Sequence, residues 1–470
     1  MRRGERGGWA ALAPAVALAA AFAGSRAEAA GFLVRARTEA QAYELRSYRQ
    51  TDPASPVLLP RRRIAQYLGL DGFELLPGQD LTFESNLRVY ADFGLQRGEA
   101  ELLEGARTED ADLLHAFLSY RSGRFQARLG RQTFADAADL VAFDGAALQY
   151  ALASGLGAEL YGGLWVKGVG FLGSGLTQPD GIRESASSAA PQLDDVEPLV
   201  GARAFWTNAM GTGVTGAIGY RRAWVAGRTD LERAQVEVRY GRGAGWSGFA
   251  GAEVDLYRLG LSQLRAEGRY DAAGYAVAAE VRRTSPVLSA DSVWYYFASA
   301  PRDEASVRVD LFHSAELRSY GRLTAQKLNT VLNADPSVGL ELPALDPRSF
   351  PTEWTAGGSA GGRLERRRWH GALDVTGLFG GQGTSVWVDA TAGIGERRRS
   401  RFTADARVSL AYLRDALNAR LTGFFAGGQV WATYAVAPQA RASIVGEANA
   451  NPLTVFEAKV FALIDLEVRL

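Results

Sequence analysis

Apolar and polar residues alternate along most of the chain. Residues 125–152 show the pattern clearly, because Phe125 and Leu129 share one parity whereas Gln126 and Arg128 share the other. A period of two is the signature of a β-strand whose two faces differ. This stretch is therefore predicted to form two strands joined by a short polar turn, with one apolar face and one ionic face.

The same alternation recurs through the rest of the sequence. It is found at 31–50, 81–96, 113–120, 157–166, 232–240, 246–256, 264–270, 275–281, 307–311, 369–375, 386–394, 402–412, 417–425, 430–434 and 456–470. The cleanest run, 81–96, is longer than the roughly nine to eleven residues that a tilted membrane strand needs. Two architectures fit this pattern: a soluble sandwich buries the apolar faces between sheets, whereas a membrane barrel turns them to lipid.

Several features favour the barrel. Aromatic residues collect near the predicted strand ends, as in the girdles of outer-membrane barrels. Tight turns at 241–245 and 271–274 contrast with long polar connections, and the chain has no Cys with which to staple a secreted domain. The predicted fold class is all-β: a large antiparallel transmembrane β-barrel of roughly 16–20 strands.

The N-terminus has the character of a signal peptide. A basic start is followed by an apolar run at 9–24 and by Ala27-Glu28-Ala29, which suits a small-residue cleavage site. We therefore expect residues 1–29 to be a signal peptide and 30–470 to form a single outer-membrane barrel. Its long loops are expected near 51–80, 168–198 and 328–362.

The charged residues indicate which kinds of partner the protein can attract. The 52 basic and 52 acidic residues cancel, so no bulk charge attracts nucleic acid. The basic residues are nearly all Arg, whose guanidinium group binds carboxylates in a bidentate fork. The arginines on the polar parity are predicted to line a pore: Arg88, Arg124, Arg128, Arg233, Arg239, Arg265, Arg269, Arg282, Arg308 and Arg407.

Acidic residues share that parity, and two interpretations stay open. The acids are Glu84, Asp92, Glu237, Glu267, Glu280, Asp310 and Asp405. In one interpretation, the surplus of arginine makes the pore favour anions. In the other, cross-strand ion pairs absorb the charges and leave a mixed polar wall.

One motif resembles a known family. The run Arg-Leu-Gly-Arg-Gln at 128–132, followed by Asp-Gly at 144–145, resembles the R-x-G-R-Q and D-G strands of the alginate-export type of outer-membrane porin. The resemblance implies that Arg128 and Arg131 line a pore for a polyanionic polysaccharide. The chain departs from that family in ending on Leu470, where such barrels end on Phe or Trp, and in interleaving acids with its arginines.

Catalysis finds little support in the sequence, so we expect no enzyme activity. The three histidines, His115, His313 and His370, are isolated, and no G-x-S-x-G or H-E-x-x-H motif occurs. A Ser-His pair assembled across strands is the alternative. No cofactor or metal is expected, and the acidic run at 194–197 is interpreted as a solvated loop.

The function predicted from these patterns is that of an outer-membrane porin or channel. Small or polymeric solutes, anionic or sugar-like, would pass by diffusion. The alternative is a non-conducting outer-membrane barrel with a structural or assembly role. The expected partners are outer-membrane lipid, the solutes and the barrel-assembly machinery, with no nucleic acid; an oligomer is compatible with the sequence.

Overall fold

The computed structural model describes most of the chain beyond the N-terminal segment. The described residues are 31–49, 52–94, 109–135, 140–166, 197–207, 211–225, 227–241, 245–257, 259–284, 302–328, 354–381, 383–395, 400–415, 422–452 and 456–469. The expected signal peptide lies outside them. Within these ranges there is no helix of the length and apolar character that a membrane crossing requires.

The described residues form 22 strands. They are β1 (Gly31–Arg49), β2 (Asp52–Phe73), β3 (Asp80–Asp92), β4 (Glu109–Ser122), β5 (Phe125–Ala135), β6 (Leu140–Ala151), β7 (Leu156–Trp165), β8 (Pro198–Trp206), β9 (Val214–Val225), β10 (Arg228–Gly241), β11 (Gly245–Asp255), β12 (Gly260–Asp271), β13 (Tyr275–Thr284), β14 (Arg302–Phe312), β15 (Leu317–Leu328), β16 (Trp354–Glu365), β17 (Trp369–Gly380), β18 (Gly383–Ile394), β19 (Phe402–Asp415), β20 (Gly423–Ala437), β21 (Ala440–Ala450) and β22 (Glu457–Arg469).

Each strand pairs antiparallel with the next one along the chain, and β22 pairs antiparallel with β1. The sheet is thus a closed barrel, and closure removes the exposed edges that an open sheet would leave. The predicted all-β, large antiparallel barrel is confirmed. The predicted strand number was too low, and six strands (β2, β8, β9, β15, β16 and β21) did not stand out in the sequence.

Two of those strands occupy segments that were predicted as loops. β2 fills most of 51–80. Its prolines Pro56 and Pro60 lie where β2 pairs with β1 but not with β3. A strand that has a neighbour on one side only tolerates proline, because the missing N–H group need not bond to a second strand. β16 takes up the end of 328–362. Although it is rich in glycine, β16 forms a strand because it is hydrogen-bonded to both β15 and β17 in continuous register.

The connections divide the barrel into two rims. Connections after even-numbered strands are two to seven residues long, and the ends of the strands that they join form the short rim. The tight turn predicted at 271–274 lies there, whereas residues 242–244 of the turn predicted at 241–245 are outside the described residues. Connections after odd-numbered strands form the long rim, which includes those after β7 and β15. Most of the loops predicted near 168–198 and 328–362 falls at 167–196 and 329–353, outside the described residues.

The outward face of the barrel is apolar. Large side chains such as Leu129, Leu160 and Val430 are more than half exposed on it. On β17, β19 and β20 an outward aromatic residue at the short rim is matched by another ten residues away at the long rim: Trp369 with Phe379, Phe402 with Tyr412, and Tyr434 with Phe424. Ten residues of a strand tilted by about 40° rise roughly 25 Å, the height of the lipid-facing band of an outer-membrane barrel.

The inward face carries most of the charged side chains, and a buried apolar cluster lies on it toward the long-rim ends of β5–β10. We call this cluster the apolar corner; it consists of Phe134, Val141, Phe143, Ala147, Tyr161, Leu199, Ala223 and Leu231. All eight are buried, and the Tyr161 ring stacks on Phe134 and Phe143 with centroids 4.3 and 5.6 Å apart. Phe134 on β5 and Tyr161 on β7 thus meet across β6.

A row of glycines lies beside the apolar corner. Gly130, Gly145 and Gly163 are directly opposite one another on β5, β6 and β7. A Cβ on any of them would come within 2.2 Å of a backbone oxygen of a neighbouring strand, and Gly130 has a φ of 125°. Glycine in a strand interior permits such close backbone approach and a tight bend at a barrel corner.

Candidate functional site

The strand register places most of the predicted arginines on the inward wall. The nine that point inward by parity are Arg88, Arg128, Arg233, Arg239, Arg265, Arg269, Arg282, Arg308 and Arg407. Arg124 lies in the two-residue turn between β4 and β5 at the short rim. That the nine line a conducting pore stays a prediction.

Arg131 requires a correction, because it shares the outward parity of Leu129. It lies directly opposite Asp144 and binds that carboxylate through two hydrogen bonds of 2.6 and 2.7 Å. A third hydrogen bond runs from Arg131 Nη1 to the carbonyl of Leu113 at 2.8 Å, next to the irregularity in the β3–β4 register. The buried pair joins β4, β5 and β6 instead of facing the pore, so Arg131 holds neighbouring strands of the wall together.

Each of the nine inward arginines has a carboxylate partner. The pairs are Arg88–Asp112 at 2.5 Å, Arg128–Glu159 at 3.8 Å, Arg233–Glu253 at 3.4 Å, Arg239–Glu237 at 3.3 Å, Arg265–Glu267 at 2.7 Å, Arg269–Asp271 at 2.8 Å, Arg282–Glu304 at 3.0 Å, Arg308–Asp310 at 2.8 Å and Arg407–Asp389 at 2.8 Å. Pairing absorbs much of the arginine charge, as the mixed-wall interpretation expects. Any anion preference therefore depends on where cations outnumber acids.

One stretch of wall has such a surplus. On the inward face of β12–β15, which we call the basic sector, seven arginines face five acids. The arginines are Arg265, Arg269, Arg282, Arg302, Arg308, Arg318 and Arg322, and the acids are Glu267, Asp271, Glu280, Glu304 and Asp310. Among the described inward side chains of β16–β22 the balance reverses, with seven acids and four basic residues.

The surplus is concentrated around Glu304. Its Oε2 accepts hydrogen bonds from Arg282 at 3.0 Å and Arg302 at 2.8 Å, and its Oε1 accepts one from Arg322 at 3.0 Å. The Glu304 side chain is only 8% exposed, whereas those of the three arginines are 32–46% exposed. One carboxylate thus orients three guanidinium groups whose remaining N–H donors are open to a passing anion.

Comparison with known proteins finds solved structures of low similarity. No model of a protein family matches the chain, and no curated protein matches it. Among solved structures, Pseudomonas aeruginosa OccK9 (OpdG) has 12% identity and a TM-score of 0.39 over 94% of this chain and 99% of that one. Acinetobacter baumannii OccAB2 has 8% identity and a TM-score of 0.43 over 93% and 98%. The outer membrane protein opdK from Pseudomonas aeruginosa has 9% identity and a TM-score of 0.42 over 94% and 99%.

The histidines lie apart from one another. His115 points inward on β4 beside Phe117. His313, in the β14–β15 turn, has its Nε2 2.7 Å from the Oγ of Ser319 on β15. This Ser-His pair is exposed, and among the described residues no acidic side chain contacts it. No group of three or more potential metal ligands occurs among the described residues.

Two of the side-chain contacts that cross an intervening strand were not predicted from the sequence. The Tyr320 hydroxyl donates to Asp374 at 2.6 Å across β16, and His370 Nε2 lies 2.6 Å from Asp405 across β18. In both cases a glycine lies between them, since a Cβ at Gly361 or Gly393 would fall 2.2 Å from the carboxylate. An isolated inward glycine between polar neighbours is the signal that could have indicated such contacts.

Proposed function

We propose that the chain is an outer-membrane porin that passes anionic or sugar-like solutes by diffusion. The observation that carries the proposal is the cluster of three guanidinium groups around Glu304, on the inward wall of a barrel whose outer face is apolar. A barrel of about 16–18 strands already leaves an aqueous channel, so 22 strands provide room for one.

The mechanism follows from how these arginines are held. The partner carboxylates keep the guanidinium groups extended along the wall, so little side-chain entropy is lost when a solute binds. An entering carboxylate or phosphate accepts hydrogen bonds from the free donors of one arginine and is passed to the next. Because the wall is wet and the net surplus is small, each contact is weak enough to release the solute.

A polymeric solute and the expected partners are part of the same proposal. The alginate-export resemblance, and with it a polymeric solute, loses the support of Arg131, which faces outward, but keeps that of Arg128, which faces inward. Outer-membrane lipid, the barrel-assembly machinery and self-association are proposed as partners on the basis of the apolar outer face and the barrel architecture.

Planar-bilayer recording of the folded barrel tests the proposal. In a salt gradient, the reversal potential of the wild type is expected to show a modest preference for chloride over potassium. The R282Q/R322Q double variant should move it toward zero, because two cations of the basic sector are lost. R124Q, at the exposed short-rim turn, is the matched control and should leave it unchanged. A barrel without conductance steps would support the structural alternative, and a cation preference would contradict the anion proposal.

A further inference from the structure

An aromatic side chain lies among the cations of the inward wall. Phe249 points inward on β11, with Arg239 opposite it on β10 and Glu267 opposite it on β12. The guanidinium carbons of Arg239 and Arg265 lie 5.3 and 5.4 Å from its ring centroid, within the range of cation–π contact. A phenyl ring is thus flanked by cations from both neighbouring strands.

The backbone beneath the ring is shaped to accommodate it. Gly251 is the next inward residue on β11, and a Cβ there would fall 2.9 Å from Phe249 Cζ. Only glycine leaves the space that the ring occupies along its own strand. A larger residue at 251 would push the ring away from the wall and from the two guanidinium groups.

A cavity of about 570 Å³ opens in front of this group. Its lining includes Phe249, Arg239, Arg265 and, further along the wall, Arg282. The side chains of Arg239 and Arg265 are 63% and 49% exposed although each binds a glutamate, so donors of both stay accessible. The volume is within the range of small-molecule sites, which combine an apolar surface with a few convergent polar groups.

We propose that this cavity is a binding subsite for planar aromatic anions, namely single-ring carboxylates. The ligand ring stacks on the Phe249 ring, and its carboxylate accepts hydrogen bonds from Arg239 or Arg265. An aliphatic acid of equal charge forms the same hydrogen bonds but lacks the stacking contact. The inference rests on the proposed function, since the solute must enter the lumen, and it narrows the class of solute.

Two carboxylates of equal charge, one aromatic and one aliphatic, separate the contribution of ring stacking from that of charge. The experiment adds benzoate or cyclohexanecarboxylate to single barrels in a planar bilayer and measures the concentration that half-blocks the ionic current. Benzoate is expected to block the wild type at about fivefold lower concentration, the magnitude of a partly exposed aromatic contact. In F249L, which keeps an apolar side chain, the two acids should block equally.

Three further variants keep the test falsifiable. G251A retains Phe249 but displaces its ring, so it should also lose the preference for benzoate. G248A is its control, because a Cβ at Gly248 meets only one backbone oxygen, at 3.5 Å. F461L replaces an inward phenylalanine of β22 and should retain the preference.

The outcomes distinguish this inference from the proposed function. Equal block of the wild type by both acids, or a preference that survives in F249L, overturns the subsite while leaving the porin in place. Glucuronate that blocks as well as benzoate overturns the aromatic class in favour of a sugar acid. A barrel that shows no current overturns both.

Discussion

The apolar corner and the basic sector are parts of one inward face, built from the same alternating pattern, yet they differ in packing. In the apolar corner, Phe143 and Ala223 are completely buried, and rings from different strands stack. In the basic sector, Arg302 and Arg308 are 44% and 42% exposed and bind acids on the same strand. A barrel wall can therefore be a packed core on one side and a solvated, charged surface on the other. Mutations should affect stability in the first region and selectivity in the second.

The largest expected effect is the loss of packing in the apolar corner. Phe143→Ala removes a fully buried ring and should lower the free energy of unfolding by about 3–5 kcal/mol. Urea titration of the barrel in lipid vesicles measures it. Phe461→Ala, on a partly exposed inward residue, is the control. A similar small loss in both variants would show that the corner is not a core.

Breaking the pair between Arg131 and Asp144 comes next. Arg131→Gln leaves the Asp144 carboxylate without its bidentate partner and removes the bond to the β4 carbonyl, so we expect a loss of about 3 kcal/mol in the same titration. Arg363→Gln breaks an exposed inward pair with Glu365 and should cost less than about 1 kcal/mol. Equal losses would mean that Arg131 is not held by the wall.

The glycine row should give a smaller effect. Gly130→Ala places a Cβ against the Ala116 carbonyl at a φ of 125°, and a loss of about 1–3 kcal/mol is expected. At Gly321, on β15, a Cβ meets nothing within 4 Å, so Gly321→Ala should be close to neutral. Urea midpoints of the two variants provide the comparison, and indistinguishable midpoints would argue against a strained bend.

The smallest stability effect belongs to the basic sector. Arg302→Gln removes a partly exposed guanidinium from Glu304 while Arg282 and Arg322 remain, so the free energy of unfolding should change by less than about 1 kcal/mol. The chloride preference should nevertheless fall, which reversal potentials at low salt would detect. A destabilised barrel with unchanged selectivity would reverse the assignment of the two regions.

The sequence patterns predicted the fold more completely than the side-chain contacts of the barrel wall. The alternation in Phe402–Asp415 locates a strand because one face meets lipid along its whole length. The Pro-containing Asp52–Phe73 was missed because composition does not show which side of a strand lacks a neighbour. Arg131 was assigned to the pore by its resemblance to the alginate-export motif although it shares the parity of Leu129, and its contacts depend on the position of Asp144 in the next strand. Register is a property of pairs, and a single alternating segment does not contain it.

The same limit applies to the candidate site. The sequence indicated that arginines outnumber acids on the polar parity, and nine of the eleven candidates do face inward. It did not indicate that three of the arginines share Glu304, because Arg282, Arg302 and Arg322 come from three strands. Phe249 was not singled out either, since one aromatic residue on the polar parity has no meaning until its neighbours on β10 and β12 are known.

The pairing of β1 with β22 has a consequence for biogenesis. The first strand stays without one of its two neighbours until the last strand has been synthesised and delivered, and during that interval its free backbone groups can recruit the wrong partner. Productive insertion thus depends on something that shields β1 while the intervening hairpins accumulate. Substitutions that disrupt β22 should consequently produce open or wrongly paired sheets, not closed barrels with altered permeability.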